Sequence, residues 1–139
     1  ALVLRATVRR CGKTADTRFG IGIGPAHFAG NDLSRADGAA LVSSGHALDN
    51  MPRARRMHAP DAPLALRTAL PLADRIAGGW TKRQADVAYY MLAPDPPVQA
   101  ELARQFDLTQ QSVQGHVEAA GIDELREVCE VLEARKTAF

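Results

Sequence analysis

The sequence predicts an α+β protein, with a small mixed region at its start and an all-helical bundle after it. Residues 17–24 alternate large and small residues with a period of two, which is typical of a strand. Beyond Pro63 the apolar residues recur at helical spacing, interrupted by Gly78-Gly79 and Pro96-Pro97. We therefore expect an α+β region over 1–50, a linker over 51–63 and a helical domain over 64–139.

The first 31 residues predict a helix followed by a strand. Residues 2–10 are typical of the end of a helix, and residues 25–31 fit either a second, weaker strand or a loop. The spacing of the strand's glycines meets neither the dinucleotide-binding fingerprint nor the phosphate-loop pattern, so close packing is their expected role. One side of this strand is apolar and the other consists of glycines: Phe19, Ile21 and Ile23 against Gly20, Gly22 and Gly24.

A second helix is predicted over 37–50, and an exposed segment follows it. Asp37 is the candidate cap of this helix. Its apolar side comprises Leu41, Val42 and Leu48. Segment 51–63 contains three prolines and a basic run, which is typical of a linker or an exposed loop. The arginines of this run are candidate phosphate contacts: Arg53, Arg55 and Arg56.

The chain after Pro63 fits a series of helices. The first covers 64–76 and contains Pro71, which restarts or kinks it. Thr81 is suited to cap the next helix, which runs to about Leu92. Three further helices are predicted over 98–106, 109–120 and 123–134.

Residues 98–119 have the pattern of a helix-turn-helix, in which two short helices pack through a tight turn. Ala103 is small enough to permit close helix approach, and Asp107 occupies the turn, where aspartate tolerates a left-handed backbone. Thr109 is placed to cap the second helix. The residues expected to face inward are Leu102, Phe106, Leu108, Val113 and Val117.

With these residues facing inward, the polar residues of the second helix are expected to face solvent. Glutamine pairs naturally with adenine in the major groove, and hydroxyl side chains contact phosphate. His116 fits equally a half-buried position and a phosphate contact. The candidate DNA-binding residues are Thr109, Gln110, Gln111, Ser112, Gln114 and His116, with Lys82 and Arg83 as further phosphate contacts. A three-helix bundle with a merely solvated glutamine face remains the alternative.

The charge distribution argues against DNA binding by the helical part alone. From Trp80 onward there are six basic and ten acidic residues, whereas the first 79 residues contain eleven basic and six acidic ones. Duplex binding depends on neutralising phosphates with lysine and arginine. We expect that a homodimer, or basic residues from the N-terminal part, offsets this deficit.

Patterns for catalysis, metals and membranes are missing from the sequence. The four histidines share no ligand spacing, and no G-x-S-x-G motif occurs. We expect no enzyme activity, no cofactor and no metal. No apolar run approaches the roughly 20 residues of a membrane span, so a cytoplasmic protein without membrane contact is expected. Cys11 and Cys129 are expected to be reduced thiols in the core.

Several short motifs together resemble the SatD family of bacterial proteins. They are Arg18-Phe-Gly-Ile-Gly-Ile-Gly24, Asp37-Gly38-Ala39-Ala40, Trp80-Thr81-Lys82-Arg83-Gln84 and the helix-turn-helix. The helical part also resembles the helix-turn-helix of sigma-factor-like and MarR-like regulators. The resemblance implies that the N-terminal region is similar to the second half of a class III nucleotide cyclase domain, a ferredoxin-like fold.

On that resemblance, the chain departs from the cyclase pattern at its transition-state contacts. Val42 stands where cyclases have Asn, and His46 stands where they have Arg. The half that carries the cyclase metal-binding aspartate is missing as well, so no cyclase activity is expected. A half-domain leaves a sheet edge uncovered, and we expect either a truncation product or pairing with another copy.

The function expected from these patterns is a bacterial transcription regulator that reads duplex DNA with the helix over 109–120. Two alternatives stay open. One is a non-catalytic protein–protein interaction or dimerisation module with an acidic last helix. The other is a degenerate, cyclase-like nucleotide-binding protein.

Overall fold

The computed structural model describes residues 1–12, 14–30 and 32–134. The protein is mixed α/β and mostly helical. It divides into two compact units, Arg18–Asp74 and Ala1–Thr17 together with the chain from Arg75 onward. In chain order the elements are α1 (Leu2–Arg9), β1 (Phe19–Gly20), β2 (His27–Ala29), β3 (Asp32–Asp37), α2 (Ala39–Asp49), β4 (Met57–His58), α3 (Leu64–Gly78), α4 (Lys82–Met91), α5 (Gln99–Phe106), α6 (Gln110–Ala119) and α7 (Ile122–Ala134).

The strands of the unit 18–74 form two separate two-stranded sheets. In one, β1 pairs in parallel with β4, with Phe19 opposite Met57. In the other, β2 pairs antiparallel with β3. The strand expected over 17–24 is therefore only two residues long. Its partner β4 is equally short because Pro60, just beyond it, has no N–H to continue the ladder. The sequence pattern gave no sign of β3, because its residues are mainly polar.

The glycines of the β1 segment do serve close packing, as expected. A Cβ atom on Gly22 would lie 1.8 Å from the carbonyl oxygen of Ala40, and one on Gly20 would lie 2.2 Å from that of Ser44. Side chains at these positions would overlap the backbone of α2. The bare backbone of the glycine segment therefore lies directly against α2.

Two expectations for α2 were wrong. Asp37 ends β3, and the residue at the N-cap is Gly38, whose φ is 128°. A Cβ atom there would lie 2.5 Å from the carbonyl oxygen of Pro25. Nor is the large apolar side buried, since Val42 is 58% exposed. The helix instead packs against the glycine segment mainly through the backbone around Ala40 and Ser44, and the side chain of Leu48 also lies beside Gly20.

The segment 51–63 is a folded part of the unit 18–74 and not an extended linker. Met51, Met57, Ala59 and Ala62 are buried in it. The backbone N–H of Arg56 also donates a hydrogen bond to Oδ2 of Asp74 at 3.0 Å. The apolar residues between the prolines explain why this segment packs, although the prolines predicted a loop.

Helix α4 is the centre of the other unit. Helices α1 and α6 both pack against it, and α6 also contacts α5 and α7. Thr81 and Gln84 form a reciprocal capping box at its start, which confirms the predicted cap. The core between these helices consists of Ala6, Trp80, Ala85, Val87, Ala88, Leu102, Val113, Val117, Ile122 and Leu125. Among the described helices none is long and apolar enough to span a membrane.

Candidate nucleic-acid interface

A tight turn joins α5 to α6. Asp107 adopts the left-handed conformation, with φ 53° and ψ 48°, and ends α5. The N–H of Leu108 then donates to the carbonyl of Ala103 at 2.8 Å, which satisfies one of the last carbonyls of the helix. Leu102 and Ala103 are buried beside this turn. The turn therefore has the backbone geometry that the sequence predicted.

The start of α6 is fixed by its cap. The hydroxyl of Thr109 accepts a hydrogen bond from the N–H of Ser112 at 3.0 Å, and its oxygen lies 2.8 Å from Oγ of Ser112. Val113 and Val117 are fully buried, so they hold one side of α6 against the core. The opposite side is consequently presented to solvent in a defined orientation.

The candidate DNA-binding residues fall into two groups. Thr109, Gln110, Gln111 and Ser112 are exposed along the first turn of α6. Gln114 is half-buried and held from two sides. It accepts from Nε2 of Gln99 at 2.7 Å and donates to Oε1 of Glu118 at 2.8 Å. His116 is half-buried as well.

The basic candidates on α4 lie in the same unit as α6. Lys82 and Arg83 are exposed, and the guanidinium of Arg83 lies 5.2 Å from the centre of the Phe106 ring. The arginines of segment 51–63 belong to the other unit. Arg56 there donates from Nη1 to the carbonyl of Arg55 at 2.9 Å, so its guanidinium helps to shape its own loop.

Arg10, the C-cap of α1, adds positive charge to the unit of α6, whereas the sequence analysis singled out only the arginines of segment 51–63 in the N-terminal part. Nε of Arg10 donates to Oδ1 of Asp86 in α4 at 2.9 Å, and the guanidinium lies 4.4 Å from the Tyr89 ring centre. Burial lowers the pKa of Arg10, but the hydrogen bond and the charge of Asp86 outweigh this and raise it. Over the whole sequence of this unit, eleven basic residues balance eleven acidic ones.

A buried ionic cluster ties α1 to the residues that follow it. Arg5 and Arg9 are 2% and 6% exposed, and both contact Asp16, at 2.9 Å and 3.6 Å. Arg9 also donates from Nη2 to the carbonyl of Trp80 at 2.6 Å. Burial raises the pKa of Asp16, but the hydrogen bonds from Arg5 and Thr17 and the nearby arginine charges outweigh it and lower the pKa below its usual value.

The sequence analysis missed this cluster. The available signal was the placement of Arg5 and Arg9 four residues apart in an otherwise apolar helix, which puts both on one face. That spacing alone does not identify the partner, because Asp16 lies in the turn beyond α1.

The two cysteines have different surroundings. Cys11 is exposed just beyond α1, so the expectation of a core thiol was wrong at this position. Cys129 in α7 is partly buried, and this burial, with the charges of Glu133 and Glu130, raises the pKa of its thiol. Both are free thiols.

Comparisons with protein-family models, curated proteins and solved structures gave no match to this chain.

Proposed function

We propose that the protein is a DNA-binding transcription regulator in which α4, α5 and α6 form a helix-turn-helix unit and α6 enters the major groove. One observation carries the proposal. Gln110 and Gln111 are exposed on the first turn of a capped helix whose opposite side is fixed by Val113 and Val117. The N-terminal turn of a recognition helix is the part that meets base edges.

The glutamines of this turn have the chemistry for base reading. A glutamine amide donates from its NH₂ to N7 of adenine and accepts from the N6–H with its oxygen, and each such bidentate pair discriminates by about 1–3 kcal/mol. Gln114 is a weaker candidate, because it already bonds Gln99 and Glu118 and would have to exchange these partners. The main base contacts are therefore assigned to Gln110 and Gln111.

Phosphate contacts are assigned to Lys82 and Arg83, which are exposed on α4. The other basic residues of this compact unit, from the first 17 residues and Arg75, balance the acidic excess of the chain from Trp80 onward. Glu118 lies on the same helix as the glutamines and opposes phosphate approach. A SatD-like homodimer that places one α6 in each of two half-sites would double the favourable contacts.

The test begins with selection of a preferred duplex from a random pool by the full chain. Fluorescence anisotropy then compares the wild type with the double variant Gln110→Ala/Gln111→Ala. We expect a loss of at least tenfold, because each lost bidentate contact corresponds to about 1–3 kcal/mol. The matched control is Gln105→Ala, an exposed glutamine on α5 that bonds Tyr90.

Salt provides the second arm of this test. Binding to the selected duplex should weaken steeply between about 50 and 200 mM salt, since phosphate contacts release counterions. If no duplex is enriched, or if the glutamine variant binds like Gln105→Ala, the proposal fails.

A second candidate function, a protein–protein interaction module, is favoured by the surface of α7. Val131 is 53% exposed and Val128 is 36% exposed, and the same helix carries the exposed residues Glu124, Glu127 and Glu130. A self-association through this face would bring like charges together and so would strengthen with salt. Light scattering after size-exclusion chromatography at low and high salt tests this function. An interaction module should self-associate more at high salt, whereas a DNA-binding protein should lose affinity for its duplex.

A further inference from the structure

An open cleft lies between the end of α1 and the first half of α4, within one compact unit. It has a volume of about 700 Å³ and is lined by Thr7, Arg10, Cys11, Lys82, Arg83 and Asp86. This volume is in the range of sites that hold small molecules, about 300–1,000 Å³. Its lining is unusual for its charge, because half of these residues are cationic.

The cationic groups exceed what the cleft's own carboxylate can neutralise. Asp86 accepts from Nε of Arg10 at 2.9 Å and lies 3.9 Å from Nη1 of Arg83. One carboxylate against three cations leaves the lining with a net charge of +2. The bond from Arg10 to Asp86 uses Nε and a further hydrogen bond involves Tyr90, but a guanidinium has five N–H donors in all. Donors and positive charge are thus both in excess.

Two of the cations are held in place by aromatic rings. The guanidinium of Arg10 lies 4.4 Å from the ring centre of Tyr89, and that of Arg83 lies 5.2 Å from that of Phe106. Stacking holds the plane of a guanidinium while its edge stays available for hydrogen bonds. An anion entering the cleft therefore meets donors whose freedom is already restricted, which lowers the entropic cost of binding.

The first turn of α4 also carries an excess of positive charge. It contains Lys82 and Arg83 and no acidic residue, although the partial charge of a helix N-terminus favours acidic ones. An anion bound in the cleft would offset the repulsion between these side chains and the positive end of the helix.

We propose that this cleft binds a phosphate group, with Arg10, Lys82 and Arg83 as its cationic donors. The group belongs either to a free phosphorylated small molecule, which would act as an effector, or to the backbone of bound DNA. The proposal does not require base reading by α6.

The test is a titration of the full chain with inorganic phosphate at constant ionic strength, followed by amide NMR signals. We expect saturable shifts at Arg10, Lys82 and Arg83. Lys82→Gln and Arg83→Gln should each weaken binding by about three- to tenfold, the effect of losing one charged hydrogen bond at an exposed site. Both residues are exposed on α4, so the fold should tolerate these changes. Arg104→Gln, an exposed arginine of α5 outside the cleft, is the control.

The same variants, measured on the selected duplex, identify the source of the phosphate. Saturable binding of inorganic phosphate that only the cleft variants weaken, with duplex affinity unchanged in these variants, indicates a free ligand, whereas a loss in both measurements indicates a DNA phosphate. If phosphate does not saturate, but duplex affinity falls in both cleft variants and not in Arg104→Gln, the group is a DNA phosphate. If neither measurement separates the cleft variants from Arg104→Gln, the proposal is overturned. The DNA-phosphate outcome rests on the proposed function, since it needs a selected duplex. The phosphate titration needs no duplex and should be unaffected by Gln110→Ala/Gln111→Ala, so a free-phosphate site can hold where DNA binding fails.

Discussion

The indole Nε1 of Trp80 donates a hydrogen bond to the backbone carbonyl of Ala120 at 2.9 Å, although 40 residues separate them. Trp80 directly precedes the cap of α4, and Ala120 is the C-cap of α6. Both residues are 1% exposed. The bond therefore joins the start of one helix to the end of another and satisfies a carbonyl that α6 leaves without an intrahelical partner.

Replacing this tryptophan tests how much the contact contributes. Trp80→Phe removes the donor and leaves a cavity beside a buried carbonyl, so we expect the free energy of unfolding to fall by about 2–3 kcal/mol. Urea denaturation followed by circular dichroism measures it, since the protein's single tryptophan is lost. Val131→Ala, at an exposed position of α7, should change stability by less than about 0.5 kcal/mol. Equal effects of the two changes would contradict this role of Trp80.

Asp107 offers a test of the turn between α5 and α6. Because its φ is 53°, Asp107→Gly should raise the free energy of unfolding by about 0.5–1 kcal/mol through relief of backbone strain. Asp107→Val should lower it by about 1–2 kcal/mol, because a β-branched residue fits this region poorly. Asp107→Asn is the near-neutral control. The proposed turn geometry is wrong if valine and glycine behave alike in thermal denaturation.

The α5–α6 pair was predictable because its determinants are local. A small residue, an aspartate at the turn, a threonine cap and two valines four apart all lie within 15 residues. The placement of α1 was not predictable, because it depends on Arg9 and Trp80, which are 71 residues apart in the chain. Likewise α2 leaves Val42 exposed, because the glycine segment packs closely against another side of the helix, around Ala40 and Ser44.

Gly22 and Gly45 form a matched pair for testing that packing. Gly22→Ala would place a Cβ atom 1.8 Å from the Ala40 carbonyl, so the backbone must shift and stability should fall by about 1–3 kcal/mol or more. Gly45→Ala lies within α2 and meets nothing within 4 Å. It should raise stability by about 0.5–1 kcal/mol, because alanine restricts the unfolded chain. Opposite signs in urea denaturation support the packing, and a tolerated Gly22→Ala refutes it.

Asp16 makes the free energy of unfolding of the protein depend on pH. Its pKa lies below the usual value in the folded state, so its ion pairs stabilise the protein fully above the unfolded pKa, near 3.9. That contribution is lost as the pH falls through the lower, folded pKa. Asp16→Asn leaves the buried Arg5 and Arg9 without this carboxylate and should cost roughly 2–3 kcal/mol at pH 7. This is less than for a fully buried pair, because the Asp16 side chain is 19% exposed.

The difference between wild type and Asp16→Asn should therefore shrink as the pH is lowered. Urea denaturation at pH 7, 5 and 3 measures it, with the exposed Asp95→Asn as the control for general acid effects. Protonation makes the wild-type side chain neutral like asparagine, so the difference should be constant from pH 7 to 5, begin to shrink below the unfolded pKa of about 3.9, and vanish only below the lower, folded pKa. A difference that stays constant from pH 7 to 3 would mean that Asp16 stabilises α1 through its shape and not through its charge.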